Sequence, residues 1–161
     1  MQYQAVVFDM DGVIFDTERL VIEFWKEVAK KHNIPNVEHT CIQCLGTNRV
    51  RTREIFLENY GADFPFDPYR AEVTELFNTH YKGVPLPTKP GVRELLSYLQ
   101  EQDIKVGLAS STAQHLVRDE IGTAGLLPYF QTLVCGDMVE HSKPAPDIFL
   151  KACEILNADP T

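Results

Sequence analysis

Apolar and polar residues alternate with different periods along this chain. Ala5-Val6-Val7-Phe8 is a short apolar run rich in β-branched residues, and it leads directly into Asp9-Met10-Asp11-Gly12-Val13. Such a run predicts a buried strand over about residues 3–9. From Thr17 the spacing becomes helical. Leu20, Val21, Phe24, Trp25, Val28 and Ala29 form one stripe, with Glu23, Lys26, Glu27 and Lys30 off it, and Asn33-Ile34-Pro35-Asn36 ends the segment. Asn48 to Tyr60 predicts a further helix closed at Gly61, and Asp63 to Pro68 a loop. Tyr69, Val73, Leu76, Phe77 and His80 mark another helix face, and Pro85, Pro87 and Pro90 punctuate a linker.

After Gly91 the pattern changes again. Val92, Leu95, Leu96 and Leu99 make a helix stripe, Ile104 to Ala109 a strand, Thr112 to Ile121 a helix, Thr132 to Cys135 a strand, and Pro146 to Leu156 a last helix. Strands alternating with helices predict an α/β fold, a Rossmann-like parallel sheet core. The block between the first strand and Pro90 has no strand of its own and reads as an all-α insertion. The expected organisation is a discontinuous core of residues 1–16 and 85–161 with a helical cap domain over 17–84. Placed directly after the Asp pair, the cap is expected to hang over the strand end that carries the carboxylates, as a lid.

Composition narrows the setting. At 161 residues the chain fits one domain, or a modest core with an appendage, and 44% apolar content argues against disorder. A net charge of −8 speaks against a nucleic-acid partner. The apolar runs are too short to span a membrane, and the N-terminus lacks the regions of a signal peptide. The four cysteines do not form a secreted disulfide framework, so a cytoplasmic, reducing location is expected. Cys41-Ile42-Gln43-Cys44 lacks the partners of a zinc site and reads as two small residues packed on a helix, with a redox pair as the alternative.

The chemistry begins at Asp9 and Asp11. Alternation places both carboxylates on one side of the carboxyl end of the first strand, where open α/β sheets bind ligands. Two carboxylates held together imply a cation or a shared proton. With a phosphate ester as substrate, Asp9 is a plausible nucleophile and Asp11 a plausible acid and base. Each carboxylate–phosphate charge pair at about 4 Å repels by about 4 kcal/mol at an effective dielectric near 20, and Mg²⁺ is the fitting counter-charge. A calcium loop fails for want of ligands at Val13 and Leu20 and a glycine at Ile14. Two aspartates capping a turn remain the plain alternative. Ser110, at the end of the second strand, is placed to hold a phosphate oxygen beside the next helix N-terminus. Ser111 or Thr112 as an ordinary N-cap is the competing reading. Lys143 lies in a segment stiffened by Pro144 and Pro146, and a solvated surface lysine is its plain alternative. Thr17 stands just past the turn as a candidate substrate-side residue of the cap, and starting the first cap helix is its plain alternative.

Together these residues resemble the haloacid dehalogenase-like (HAD) superfamily. Phe8-Asp9-Met10-Asp11-Gly12-Val13 matches its first motif, Leu108-Ala109-Ser110 its second, and Lys143-Pro144-Ala145-Pro146-Asp147-Ile148-Phe149 its third. Their order and the helical cap resemble the β-phosphoglucomutase-like and phosphoglycolate phosphatase-like branch. The resemblance implies that Asp9 is nucleophile and metal ligand. It implies that Asp11 is acid/base and lends the metal its backbone carbonyl, and that Ser110 and Lys143 hold the phosphoryl group. The expected function is a Mg²⁺-dependent phosphatase acting on a small-molecule phosphate ester through an aspartyl-phosphate.

Two departures qualify the resemblance. The mutases carry a histidine where Val21 stands and a lysine near Phe77, which favours phosphatase over mutase, while Arg49 sits where those enzymes bind a second phosphate and keeps the mutase as an alternative. The family's fourth motif, an acidic pair after a further strand beside the first, has no counterpart before Asn157-Ala158-Asp159-Pro160-Thr161. The core is therefore expected to be incomplete at its C-terminus and to lack a third acidic metal ligand. On that view the first strand has an unpaired edge, and a truncated, non-catalytic module is the third reading.

Overall fold

The alternating segments close into one parallel sheet. The computed structural model describes residues 3–47, 49–141 and 143–160. Met1, Gln2, Asn48, Ser142 and Thr161, some of which enter the expectations above, lie outside the described residues. The chain divides into two compact units, Met1–Asp16 with Gly83–Thr161, and Thr17–Lys82.

In the first unit, β1 (Ala5–Phe8), β2 (Lys105–Ser110) and β3 (Thr132–Cys135) lie in the order β1-β2-β3 with both pairs parallel. Phe8 stands beside Leu108 and Ser110 beside Cys135, so the carboxyl ends of all three strands share one edge of the sheet. Parallel neighbours need long crossovers. Helix α5 (Val92–Glu101) leads into β2, α6 (Gln114–Thr123) joins β2 to β3, and α7 (Asp147–Leu156) follows β3. Helix α7 packs on all three strands, α5 on β2 and α6 on β3. Ala109, Val134, Ile148 and Ala152 form a fully buried cluster between α7 and the sheet. At Gly107 an added Cβ would stand 3.1 Å from Leu156 Cδ1 and 3.2 Å from Thr132 Cγ2, so α7 lies close on β2 there. The strands are not equally covered. From Val106 onward β2 is buried, as is all of β3, whereas every residue of β1 is only half-buried.

The second unit is all helix: α1 (Thr17–His32), α2 (Val37–Gln43), α3 (Arg49–Tyr60) and α4 (Phe66–Tyr81). Its core is aromatic. The Trp25 ring lies 4.5 Å from Phe56 and 5.9 Å from Phe66, and Phe24 meets Phe77 at 5.9 Å. Asn33 and Asn36 adopt left-handed backbone, the conformation that stops α1 and admits the turn into α2.

Several element bounds differ from expectation for physical reasons. Strand β1 stops at Phe8, before Asp9, because the next residues fold around one carbonyl. Met10 O accepts from the N–H groups of Val13 (3.4 Å), Ile14 (2.9 Å) and Phe15 (3.1 Å). Helix α4 begins at Phe66, inside the stretch expected to be a loop, because Phe66 is buried in the aromatic core. Helix α6 begins at Gln114, two residues past Thr112, so neither Ser111 nor Thr112 is its N-cap. Cys41 and Cys44 are free thiols; Cys41 is buried, and burial pushes its thiol up to about 12. Such a thiol is not a nucleophile near neutral pH, which supports the packing reading over the redox one.

Candidate active site

Three of the chemistry-bearing residues converge where the strands end. Asp9 follows β1 directly, and its Oδ1 accepts from the Met10 N–H at 2.7 Å and from the Lys143 ammonium at 2.8 Å. The same ammonium donates to the carbonyl of Ala109 at 2.9 Å, one residue before Ser110. Lys143 thus ties the end of β1 to the end of β2 from a segment that follows β3. It is no solvated surface lysine: its side chain is 24% exposed. The peptide bond between Lys143 and Pro144 is cis.

Ser110 is fully buried, and its Oγ accepts from the Thr112 N–H at 3.2 Å. The turn it opens is clamped from β3. Gly136 N–H donates to Thr112 O at 3.1 Å, and a Cβ at Gly136 would run into the Ser111 carbonyl. Only glycine allows that approach. The next residue, Asp137, caps α6, since both its carboxylate oxygens lie 3.2 Å from the Gln114 N–H. That helix N–H is therefore engaged by Asp137, a role the sequence did not signal.

Asp11 sits on the turn past β1 and is exposed, with Gly12 in left-handed backbone beside it. Asp11 and Phe15 form an isolated bridge, as do Phe15 and Thr88. A second acidic group feels Asp11. Burial, then the charges of Asp11 and Asp119, push the Glu120 carboxyl up to about 7. Nothing in the spacing of Glu120 within α6 marks this in advance.

Arg49 and Thr17 belong to the helical unit. Thr17 opens α1 and is buried. Arg49 opens α3 and is largely exposed, 3.4 Å from Asp67, which also takes the Arg53 Nε at 3.3 Å. Arg49 lines a cavity of about 800 Å³ with Asp67, Arg70, Thr74, Asn78 and Lys82. Burial and the neighbouring Arg49 push the Arg70 guanidinium below its usual range.

Among the described residues no group of three or more His, Cys, Asp or Glu is placed to hold a metal ion. Asp9 and Asp11 supply hard oxygen donors. Mg²⁺ is commonly held by one or two carboxylates, waters and substrate phosphate, so this donor set fits it.

Residues 6–161 match the family described as haloacid dehalogenase-like hydrolase. The chain belongs to that family. The phosphorylated carbohydrates phosphatase of Thermotoga maritima is 33% identical to this HAD-like hydrolase over 157 residues, covering 98% of the chain and 72% of the relative. The β-phosphoglucomutase of Bacillus subtilis is also 33% identical, covering 98% of the chain and 71% of its own length. A solved Thermotoga maritima structure superimposes with a TM-score of 0.73 at 33% identity, over 98% of this chain and 72% of that one. The HAD-like fold and the phosphoglucomutase-like branch expected from the motifs are thereby established, and with them an enzyme of the phosphatase type. No helix among the described residues is long and apolar enough to cross a membrane.

Proposed function

We propose that this HAD-like hydrolase is a phosphatase of a small phosphorylated metabolite, a sugar phosphate being the class its relatives suggest. The observation that carries the proposal is Lys143, which stands 2.8 Å from the Asp9 carboxylate and 2.9 Å from the carbonyl next to Ser110. One ammonium placed there offsets the repulsion between a carboxylate nucleophile and a phosphate dianion.

In the first step a carboxylate oxygen of Asp9 attacks phosphorus. The bond from phosphorus to the ester oxygen breaks, and Asp11 gives its proton to the leaving alcohol. Asp9 Oδ1 already carries the contacts with Met10 and Lys143, which leaves Oδ2 for attack. In the second step water attacks the aspartyl-phosphate, Asp11 takes the water's proton, and the bond from phosphorus to Asp9 breaks to release inorganic phosphate. Ser110 and Lys143 hold the phosphoryl oxygens in both steps. Mg²⁺, when bound by the Asp9 carboxylate and the Asp11 carbonyl, supplies further positive charge against the phosphate. Residues 17–84 act as the cap, and Arg49 is its candidate contact with the remainder of the substrate.

Position 77 weighs against the mutase. Near the place where the resemblance puts the mutases' lysine, the Phe77 ring packs on Phe24 at 5.9 Å and on Tyr81 at 5.3 Å. The test is hydrolysis of p-nitrophenyl phosphate with Mg²⁺. Asp9→Asn should abolish turnover, and Asp11→Asn should lower kcat by about 10²–10⁴. Undiminished turnover in Asp9→Asn would refute the proposal. Isomerisation of a hexose phosphate faster than its hydrolysis would establish the mutase instead.

A further inference from the structure

Lys143 has a third neighbour. Its ammonium lies 4.9 Å from the centroid of the Phe149 ring. Phe149 sits in the first turn of α7, where its N–H donates to Pro146 O at 2.9 Å. Its ring is partly buried against the cluster of Ala109, Val134, Ile148 and Ala152. Ala109 is also the residue whose carbonyl accepts from Lys143. One piece of core therefore fixes two of the groups that surround the ammonium.

The two polar neighbours and the ring act differently. An ammonium has three N–H donors. Asp9 and Ala109 engage two of them, leaving one for a phosphate oxygen. An aromatic face attracts the charge through its quadrupole and offers no conventional acceptor. It holds the cation in place without competing with the substrate for it. We propose that Phe149 is a positioning residue, whose ring holds the Lys143 charge beside Asp9 in readiness for the phosphoryl group. The proposal rests on the phosphoryl-transfer reading of Asp9 and Lys143.

The experiment grades the ring without changing its shape. Phenylalanine carrying one, two or three ring fluorines is placed at position 149, beside Phe149→Trp, Phe149→Leu and Lys143→Met. The readouts are the proton shift of the Lys143 ε-methylene and the affinity for inorganic phosphate with Mg²⁺. In the unaltered protein the methylene should be shifted upfield by the ring current, and Phe149→Leu should remove that shift. Phosphate affinity should fall stepwise with each fluorine, by about 5-fold in all. Phe149→Trp should keep the affinity, and Phe149→Leu should match the trifluoro ring.

A flat fluorine series with intact affinity would show that the ring serves packing alone and overturn the proposal. An unshifted methylene in the unaltered protein would overturn it too, without requiring any variant to fold. Failure of the underlying reading looks different. Phosphate affinity unchanged in Lys143→Met, beside a shifted methylene, would refute the phosphate site and with it the purpose of the contact, though not the contact itself.

Discussion

Four cations of the α/β unit reach backbone carbonyls, Lys143 among them beside its pairing with Asp9, while the cations paired in the helical unit end on carboxylate side chains. In the first unit the Lys105 ammonium donates to Leu156 O at 2.6 Å, Lys143 to Ala109 O at 2.9 Å, Lys151 to Met138 O at 2.5 Å, and the Arg93 guanidinium to Ala124 O. In the second, Arg51 pairs with Glu58 at 2.7 Å, Lys31 with Glu72 at 2.8 Å, and Arg53 with Asp67 at 3.3 Å. A carbonyl in packed secondary structure is a fixed point, so a side chain bound to it is located as well as neutralised. Two exposed side chains that bind each other locate neither, because both keep much of their freedom. Chemistry that needs a charge at a stated distance from an attacking oxygen belongs with the first arrangement. The helical unit takes its stability from rings instead.

The largest effect should therefore come from the aromatic core. Trp25 is 2% exposed and meets both Phe56 and Phe66. Trp25→Ala should cost about 3–5 kcal/mol, read as a lower urea midpoint. A loss under about 1 kcal/mol would break the comparison, since the surface pairs would then be what holds the helices.

Two glycines of the α/β unit sharpen it next. Gly136→Ala drives a methyl group toward the Ser111 carbonyl. It should cost about 1–3 kcal/mol and slow phosphate ester hydrolysis together, because the displaced turn carries Ser110. Gly122 lies inside α6 with nothing within 4 Å of an added Cβ. Gly122→Ala should stabilise by up to about 1 kcal/mol and leave hydrolysis unchanged. Equal behaviour of the two would show that the close approach at Gly136 does not position the turn.

Asp9 and Ser110 were legible in the sequence for a topological reason. Both stand at the ends of apolar runs that read as strands, and parallel strands put their carboxyl ends on one edge. Lys143 lies further along, past the end of β3, and was legible from the prolines beside it and from the resemblance of its segment to a family motif. Asp137 capping Gln114, Glu120 within reach of Asp11, and the Phe149 ring beside Lys143 were not legible. Each depends on how separate elements meet, and periodicity records only which face of an element is apolar. The start of α4 was lost in the same way, since Phe66 is drawn into helix by rings from α1 and α3 rather than by any local signal. The half-buried β1 was legible in part: its apolar run promised full burial, but the unpaired edge expected for it agrees with the sheet, where among the described residues it pairs only with β2.

Glu120 offers a pH-dependent test within the α/β unit. Its folded-state pKa of about 7 lies above the ordinary value of 4.5. Between those values the folded protein holds a proton that the unfolded chain releases. The stability Glu120 contributes is thus full below about 4.5 and is lost as pH rises to about 7. Glu120→Gln should change the melting temperature little at the acid end of that window and raise it increasingly toward pH 7, with no further gain above. A gain that is the same at both ends would mean that burial and the Asp11 charge do not act on this carboxyl.

The smallest effect should come from the surface pairs of the helical unit. Arg53 on α3 reaches Asp67 on α4, with about half of each side chain exposed. Asp67 keeps Arg49 as a partner when Arg53 is gone. Arg53→Ala should therefore cost no more than about 1 kcal/mol, and added salt should shrink the difference, because exposed charges are screened. A loss of 2 kcal/mol or more that survives high salt would mean that this pair fixes α3 against α4 as firmly as Lys143 fixes β1 to β2. The contrast between the two units would then rest on the rings alone.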